Sequence, residues 1–304
     1  MKWFKTIAEQ VAILESRGLS VDSQTPVVLL RENYYSVVNG YKGPFLNKDK
    51  MQERADDFYI EGAEFDWLYS LFRFDRELRQ ITFSYLIRAE AALKTATVYA
   101  FCENHQGCSD YLDRSSFCLA KDMLVAKKFR GNKYSLHSNN LNHLMNVLNG
   151  KLVGGTSARP FVAHYLDAHG EVPLWVLAND LTFGNMSHFF QLMKRGDQNA
   201  VCKHLYVTTM RSGDDKKITP HEVLRAYDVL VHFRNLCAHD ERLYCARKDN
   251  DTFATMLGLM NIALPAATVV DFKEELNDLL SRYKGDLHVI TVSDLREMLG
   301  LGSR

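Results

Sequence analysis

An arginine, an asparagine and a histidine stand within six residues at Arg234, Asn235 and His239, inside the stretch FRNLCAHDERLY. A histidine titrates near neutrality, so it can take a proton from one oxygen and return it to another. An arginine keeps its charge and can hold an anion while negative charge grows on it. Together these types can perform acid–base chemistry on a phosphate or similar group. The competing reading is structural: the arginine caps carbonyls, the histidine ends a helix, and Asn235 satisfies backbone groups there.

The element that must position them is a helix with a well-marked start. Thr219-Pro220-His221-Glu222 reads as a capping box, with proline at the first turn. Downstream, Val223, Tyr227, Leu230, Arg234 and Ala238 fall on one stripe. Arg234 therefore continues an apolar face, and a buried arginine needs a partner. Asn235 and His239 are four apart and share a neighbouring face. On an ideal helix Arg234 and His239 point about 140° apart. Either the helix loosens near His239, or a second copy of the motif completes a shared site.

The rest of the chain reads as helical. Its 304 residues hold 37 basic and 37 acidic side chains, so net charge does not point to nucleic acid, although a local basic patch would suffice. No apolar run is long enough for a membrane span, and the amphipathic start carrying Glu9 and Glu15 is not expected to be a signal peptide. Helices are expected over 3–17, stopping at Gly18, and from Thr25-Pro26 to about Gly40. The longest is expected over 63–103, with a break near 80, followed by irregular structure over 105–137. Further helical pieces are NNLNHLMNVLN, RPFVAHYLDAH and PLWVLANDLTFGNMSHFFQLM, with loops at VGGTSARP and RSGDDKK. No repeat or linker interrupts them, so one compact unit is expected over 1–304. The six cysteines, with no secretory signal, are expected as free thiols in a reducing cytoplasm.

Arg234-Asn235-Leu236-Cys237-Ala238-His239 resembles the R-x4-H signature of HEPN-domain ribonucleases, in the RNxxAH form. NYYSVVNGYKGPFL (33–46), LYSLFRFDRELRQI (68–81), IRAEAALKT (87–95) and PLWVLANDLTFGNMSHFFQLM (173–193) precede it in order. Together, over roughly residues 5–250, they resemble the Abi-like abortive-infection proteins of the AbiD/AbiF type. The resemblance implies an all-α HEPN-like bundle, with N-terminal helices over 1–56, a core over 57–250 and C-terminal helices over 251–304. It also implies a homodimer that brings two motifs into one cleft. The implied activity is metal-independent RNA cleavage without a cofactor, in phage defence or as a toxin, in some relatives beside a structured non-coding RNA. RNA carries its own nucleophile, the 2′-OH. Arg234, Asn235 and His239 would be catalytic, leaving a 2′,3′-cyclic phosphate and a 5′-hydroxyl. The alternative within the resemblance is a HEPN scaffold that binds RNA or protein without cutting.

Other residues are candidates for holding RNA. In FDRELR, Asp75 with Arg79 and Arg73 with Glu77 are i, i+4 pairs, which fit either surface ion pairing or a cleft. Arg76, Arg79 or Arg88 would then hold phosphate, or Glu90 would pair with the cleft arginine. Lys127, Lys128 and Arg130, in KKFRGNKY, could hold RNA backbone or lie in a solvated loop. The aromatics of NYYSVVNGY read as core rather than base-stacking groups. Asp240, Glu241 and Arg242 read as a solvated charge cluster, and His232 as a packing or surface residue. Cys102, His105, Cys108 and Cys118 are zinc-type ligands, but their spacing matches no zinc module, so no metal is expected. No P-loop, Rossmann fingerprint or nucleotidyltransferase motif occurs.

Overall fold

The computed structural model describes residues 3–54, 56–126, 129–153, 159–211 and 216–302. The fold is all-α: among the described residues there is no strand, only isolated bridges such as Ser20 with Glu64 and Phe117 with Met193. Two compact units divide the chain. One comprises Met1–Thr82, Leu236–Arg247 and Phe272–Arg304; the other comprises Phe83–Asn235 and Lys248–Asp271.

In the first unit, α1 (Ile7–Ser16) opens on a capping box between Thr6 and Glu9 and stops before Gly18. Gly18 has φ +82°, and a Cβ there would meet the Phe58 ring at 3.1 Å, so glycine serves both the turn and the close approach. Helix α2 (Thr25–Glu32) is shorter than its sequence pattern predicts. Asn33 turns to φ 70°, and a single π-turn over Tyr35–Asn39 replaces the rest of the expected helix. Tyr41 beyond it is buried, whereas Tyr35 is exposed. Helix α3 (Lys48–Arg54) follows.

Helix α4 (Phe65–Asn104) runs forty residues, and the break expected near 80 does not occur. Its sequence contains neither proline nor glycine, and its buried positions keep a helical period throughout. Leu68, Leu71, Phe72, Asp75, Leu78, Arg79 and Thr82 form its inner face in the first unit. Phe74 meets the Tyr283 ring edge-on at 5.5 Å, and the Tyr283 phenol donates to Glu77 at 2.6 Å. Tyr283 follows α12 (Ala266–Arg282), and α13 (Val292–Met298) completes this unit.

In the second unit, α4 contributes Leu86, Ala89, Leu93 and Phe101 to the core. Helix α5 (Lys133–Leu152) starts six residues before the expected NNLNHLMNVLN, because Asn132 caps it by accepting from the Tyr134 and Ser135 amides. Helix α6 (Pro160–His169) follows as expected, but the piece expected over 173–193 is divided. Helix α7 (Leu174–Leu177) passes into a 3-10 turn, Leu181 is extended, and Thr182 caps a new helix, α8 (Phe183–Leu192), by accepting from the Asn185 amide. Helix α9 (Arg195–Thr208) comes next. The motif helix is α10 (Pro220–Ala238), and α11 (Phe253–Leu259) comes after it. Tyr227 of α10 is fully buried among Phe183 and Phe190 of α8, and its hydroxyl bonds Thr97 at 2.7 Å and the Leu93 carbonyl at 3.0 Å. Burial of that phenol is thus compensated on both its donor and acceptor sides.

The start of α10 is the one the sequence predicts. The Thr219 amide donates to Glu222 at 2.9 Å, and Thr219 Oγ1 accepts from the Glu222 amide at 3.3 Å. Replacing Thr219 by alanine is expected to cost about 0.5–2 kcal/mol. Urea unfolding measures this, and an unchanged midpoint would show that the cap contributes nothing.

Candidate active site

Along α10 the stripe passes from buried to open. Val223, Tyr227 and Leu230 are fully buried, Arg234 is half-buried, and Ala238 is exposed. Arg234 finds its partner within its own chain and unit. Its Nε donates to Glu90 Oε2 at 3.0 Å and its Nη2 to Glu90 Oε1 at 3.3 Å, a bidentate fork. Nη1 donates to Asn235 Oδ1 at 3.0 Å. Asn235 therefore orients the arginine. Lys94, one turn along α4, lies 3.7 Å from the same carboxylate and donates to the Leu181 carbonyl at 2.7 Å. Burial lowers the Lys94 ammonium from its ordinary value, and Glu90 opposes that shift.

This pairing answers the question the sequence raised. Neutralising Arg234 does not require a second copy of the chain, because Glu90 does it. A guanidinium has about five N–H groups, of which the fork and Asn235 take three, leaving two for an anion. Lysine lacks this planar fork and could not bond Glu90 twice while also reaching Asn235. Arg234→Lys is expected to lose about 1–3 kcal/mol of stability, read from the denaturant midpoint. Full stability would mean that the fork holds nothing.

Helix α10 ends at Ala238, so the chain's own turn, rather than helical period, directs His239. Asp240 adopts φ 56°, and the Glu241 amide donates back to the Leu236 carbonyl at 3.0 Å. This is a Schellman-type ending with aspartate in the left-handed position where glycine is usual. His239 sits at the helix cap and is exposed. Among the described residues no group hydrogen-bonds or ion-pairs with its imidazole.

A buried polar network in the first unit holds that turn. Asp240 accepts from Arg79 Nη2 at 2.5 Å. Arg79 Nη1 reaches Asp75 Oδ2 at 2.7 Å, the Tyr41 hydroxyl at 2.9 Å and the Glu241 carbonyl at 3.4 Å. Asp75 also accepts from Tyr41 Oη at 2.7 Å and from the amides of Leu243 at 3.0 Å and Tyr244 at 2.7 Å. Asp75 is fully buried and Arg79 is 3% exposed. Burial pushes the Asp75 carboxyl above its ordinary value, and Arg79, the two amides and Tyr41 act against that push.

The network corrects two expectations. Arg79 does not face solvent to hold phosphate; its guanidinium is committed to the fold. Asp240 is not merely solvated, since it ties the turn to Arg79. Arg242 likewise donates to the Gly40 carbonyl at 3.1 Å. Only the Asp75–Arg79 pair is announced locally, by its i, i+4 spacing; the other partners lie up to 169 residues apart in sequence.

The remaining candidates scatter. Arg76 is forked onto Glu32 at 2.7 and 3.3 Å and lies over the Phe72 ring. Arg88 is exposed, 3.4 Å from the Thr268 hydroxyl, and stands two residues from Glu90 on α4, hence on another face. Arg130 is exposed and donates to the Phe129 carbonyl at 3.2 Å. Lys127 and Lys128 lie outside the described residues. His105 pairs with the buried Asp197 at 3.1 Å and stacks on Phe101. Burial pushes the Cys102 and Cys118 thiols up to about 11 and Cys237, inside the motif, up to about 12. All six cysteines are free, and no metal-holding cluster of His, Cys, Asp or Glu occurs among the described residues.

An all-α chain whose motif helix ends in a forked arginine and an open histidine is compatible with a nuclease-type enzyme. A family model described as Abi-like protein matches residues 27–245, which include the motif, Glu90 and the Asp75–Arg79 network. The chain belongs to the Abi-like protein family, and that membership points to abortive infection. No curated protein and no solved structure matches it. No helix among the described residues is long and apolar enough to cross a membrane.

Proposed function

We propose that the chain is a HEPN-type endoribonuclease of an abortive-infection or toxin-like system. His239 would take the 2′-OH proton as that oxygen attacks phosphorus. The P–O5′ bond breaks, and the departing oxygen receives a proton from a histidine. The products are a 2′,3′-cyclic phosphate and a 5′-hydroxyl, and no water is consumed. Arg234 would offer its two remaining N–H groups to the scissile phosphate, with Glu90 and Asn235 fixing its plane. The observation that carries this reading is the exposed imidazole of His239, which no side chain among the described residues engages, at the end of the helix that holds the forked arginine. Metal independence is taken from the HEPN resemblance.

The composite site is part of the proposal: in a homodimer, two histidines would divide the acid and base roles. A cognate non-coding RNA would hold the enzyme in check, and sequencing nucleic acid that copurifies with the protein would identify it. The decisive assay incubates end-labelled RNA with the purified chain in EDTA, beside His239→Ala. Cleavage by the native chain alone, leaving cyclic phosphate ends, supports the reading. Equal cleavage by both chains removes it. RNA bound but uncut by either favours the non-catalytic scaffold, for which the Arg234–Glu90 fork is structural. Sedimentation equilibrium tests the pairing, and an active monomer would eliminate the composite site.

A further inference from the structure

A concavity of about 360 Å³ lies between α12 and α13, and a larger one of about 750 Å³ lies within the second unit. The larger has an apolar floor and a basic rim. Phe117, Met123 and Leu124 are buried beneath it. Lys121, Lys133, Lys194 and Arg195 line it, against one carboxylate, Asp122. Among the described residues, none of these four cations lies within ion-pair distance of a carboxylate. Lys94, Lys151, Arg159, Arg225, Arg234 and Lys248 of the second unit are paired; among the described residues Arg114 and Lys203 also lack a carboxylate at ion-pair distance, but neither lines this concavity. In a chain of zero formal net charge, this is a local excess of unneutralised positive charge with somewhere to put a ligand.

The rim is built rather than incidental. The Cys118 amide donates to the Leu192 carbonyl at 2.8 Å, and Phe117 bridges Met193. His137 bonds the Cys118 carbonyl at 2.8 Å, and Gln191 donates to the Leu124 carbonyl at 2.9 Å. The Lys133 ammonium is held on the Lys121 carbonyl at 2.7 Å. Lys194 and Arg195 begin α9, whose N-cap offers no side-chain acceptor, and the space around Gly196 is open. The Asp197 carboxylate in the first turn of α9 offsets the helix terminus, so the side-chain cations supply the charge of the rim.

We infer that this concavity holds the phosphodiester backbone of single-stranded RNA, with a base against the exposed Leu119 side chain that also lines it. The inference rests on the ribonuclease reading for the identity of the polyanion. None of the residues involved belongs to the Arg234–His239 motif, so the site binds and aligns substrate RNA without touching the reacting atoms. Its volume suits one nucleotide, and its cations suit the phosphates on either side.

The test uses the full chain carrying His239→Ala and a fluorescent single-stranded RNA, with anisotropy read over a salt series. Adding Lys194→Glu and Arg195→Glu is expected to weaken binding at least about tenfold at low salt and to flatten the salt slope by about 1.4, for two lost phosphate contacts on a single strand. Lys203→Glu with Lys273→Glu changes the net charge equally at exposed positions elsewhere and is expected to have little effect. The neutralising pair Lys121→Gln and Lys194→Gln repeats the test if the reversed pair unfolds. Inorganic phosphate and a 5′-mononucleotide, at matched ionic strength, are expected to compete far less well than RNA.

Unchanged affinity and slope in the pocket variants overturns the inference, as does an equal loss in the control pair. Competition by inorganic phosphate as effective as that by RNA also overturns it, since the site would then be one for free phosphate. Cleavage by the native chain is measured separately. Pocket-dependent RNA binding by a native chain that cuts nothing would leave this site standing while the ribonuclease reading falls.

Discussion

Replacing His239 by alanine is expected to lower RNA cleavage by about 10²–10⁴-fold while leaving RNA affinity and the melting midpoint in place. The size follows from the role. General acid–base groups contribute on that scale, and a proposed site with a self-contained nucleophile depends on proton transfer above all. The specificity of the effect follows from geometry. His239 is exposed at the helix cap, so its removal opens no cavity and orphans no buried group. Single-turnover rates with saturating enzyme separate chemistry from binding. A His239→Ala protein that cuts at the native rate would assign the exposed imidazole no part in the reaction. Loss of melting midpoint together with rate would show that the residue acts on the fold.

Asp75→Ala is expected to have the largest effect on stability, about 3–5 kcal/mol, because it removes one partner of a buried ion pair. The carboxylate receives Arg79, Tyr41 and the amides of Leu243 and Tyr244, and alanine would leave all four donors buried without it. Arg79 would keep Asp240 and the Glu241 carbonyl, so its charge would be only partly compensated. Asp75→Asn, which keeps the shape and some hydrogen bonds, is expected to lose less. Denaturant midpoints order native, Asp75→Asn and Asp75→Ala. A loss below about 1 kcal/mol in Asp75→Ala would mean that water replaces the missing acceptor and the site is not dry. Since the same network ends on Asp240, beside His239, Asp75→Asn is also expected to slow cleavage in proportion to its effect on the turn. That readout separates a disturbed turn from a merely weakened fold.

Much of this arrangement was legible along the chain. The helical period, the Thr219–Glu222 capping box and the stripe through Arg234 are local properties, determined within a few residues, and they stand in the structure. The pairing of Glu90 with the motif arginine was legible as one option among several charges on α4. Helix α9 was not legible, because Asp197 and Gln198 occupy buried positions where apolar residues would mark a period. Its inner face is satisfied instead by His105, Asn104 and the Phe190 carbonyl. The break anticipated near residue 80 failed for the same reason: Asp75, Arg79 and Thr82 are polar but lie on the inner face.

The sequence by itself determined an all-α chain and placed an arginine and a histidine at the end of one amphipathic helix. Only the tertiary structure decided which arginines are spent on the fold and which keep donors for a ligand. Arg79 and Arg234 look alike in a helical pattern. One is enclosed by Asp75, Tyr41 and Asp240, and the other is half-open beside Glu90. The difference is the set of hydrogen-bond acceptors that folding brings to each guanidinium from residues as far as 162 positions away, and helical periodicity carries no record of it.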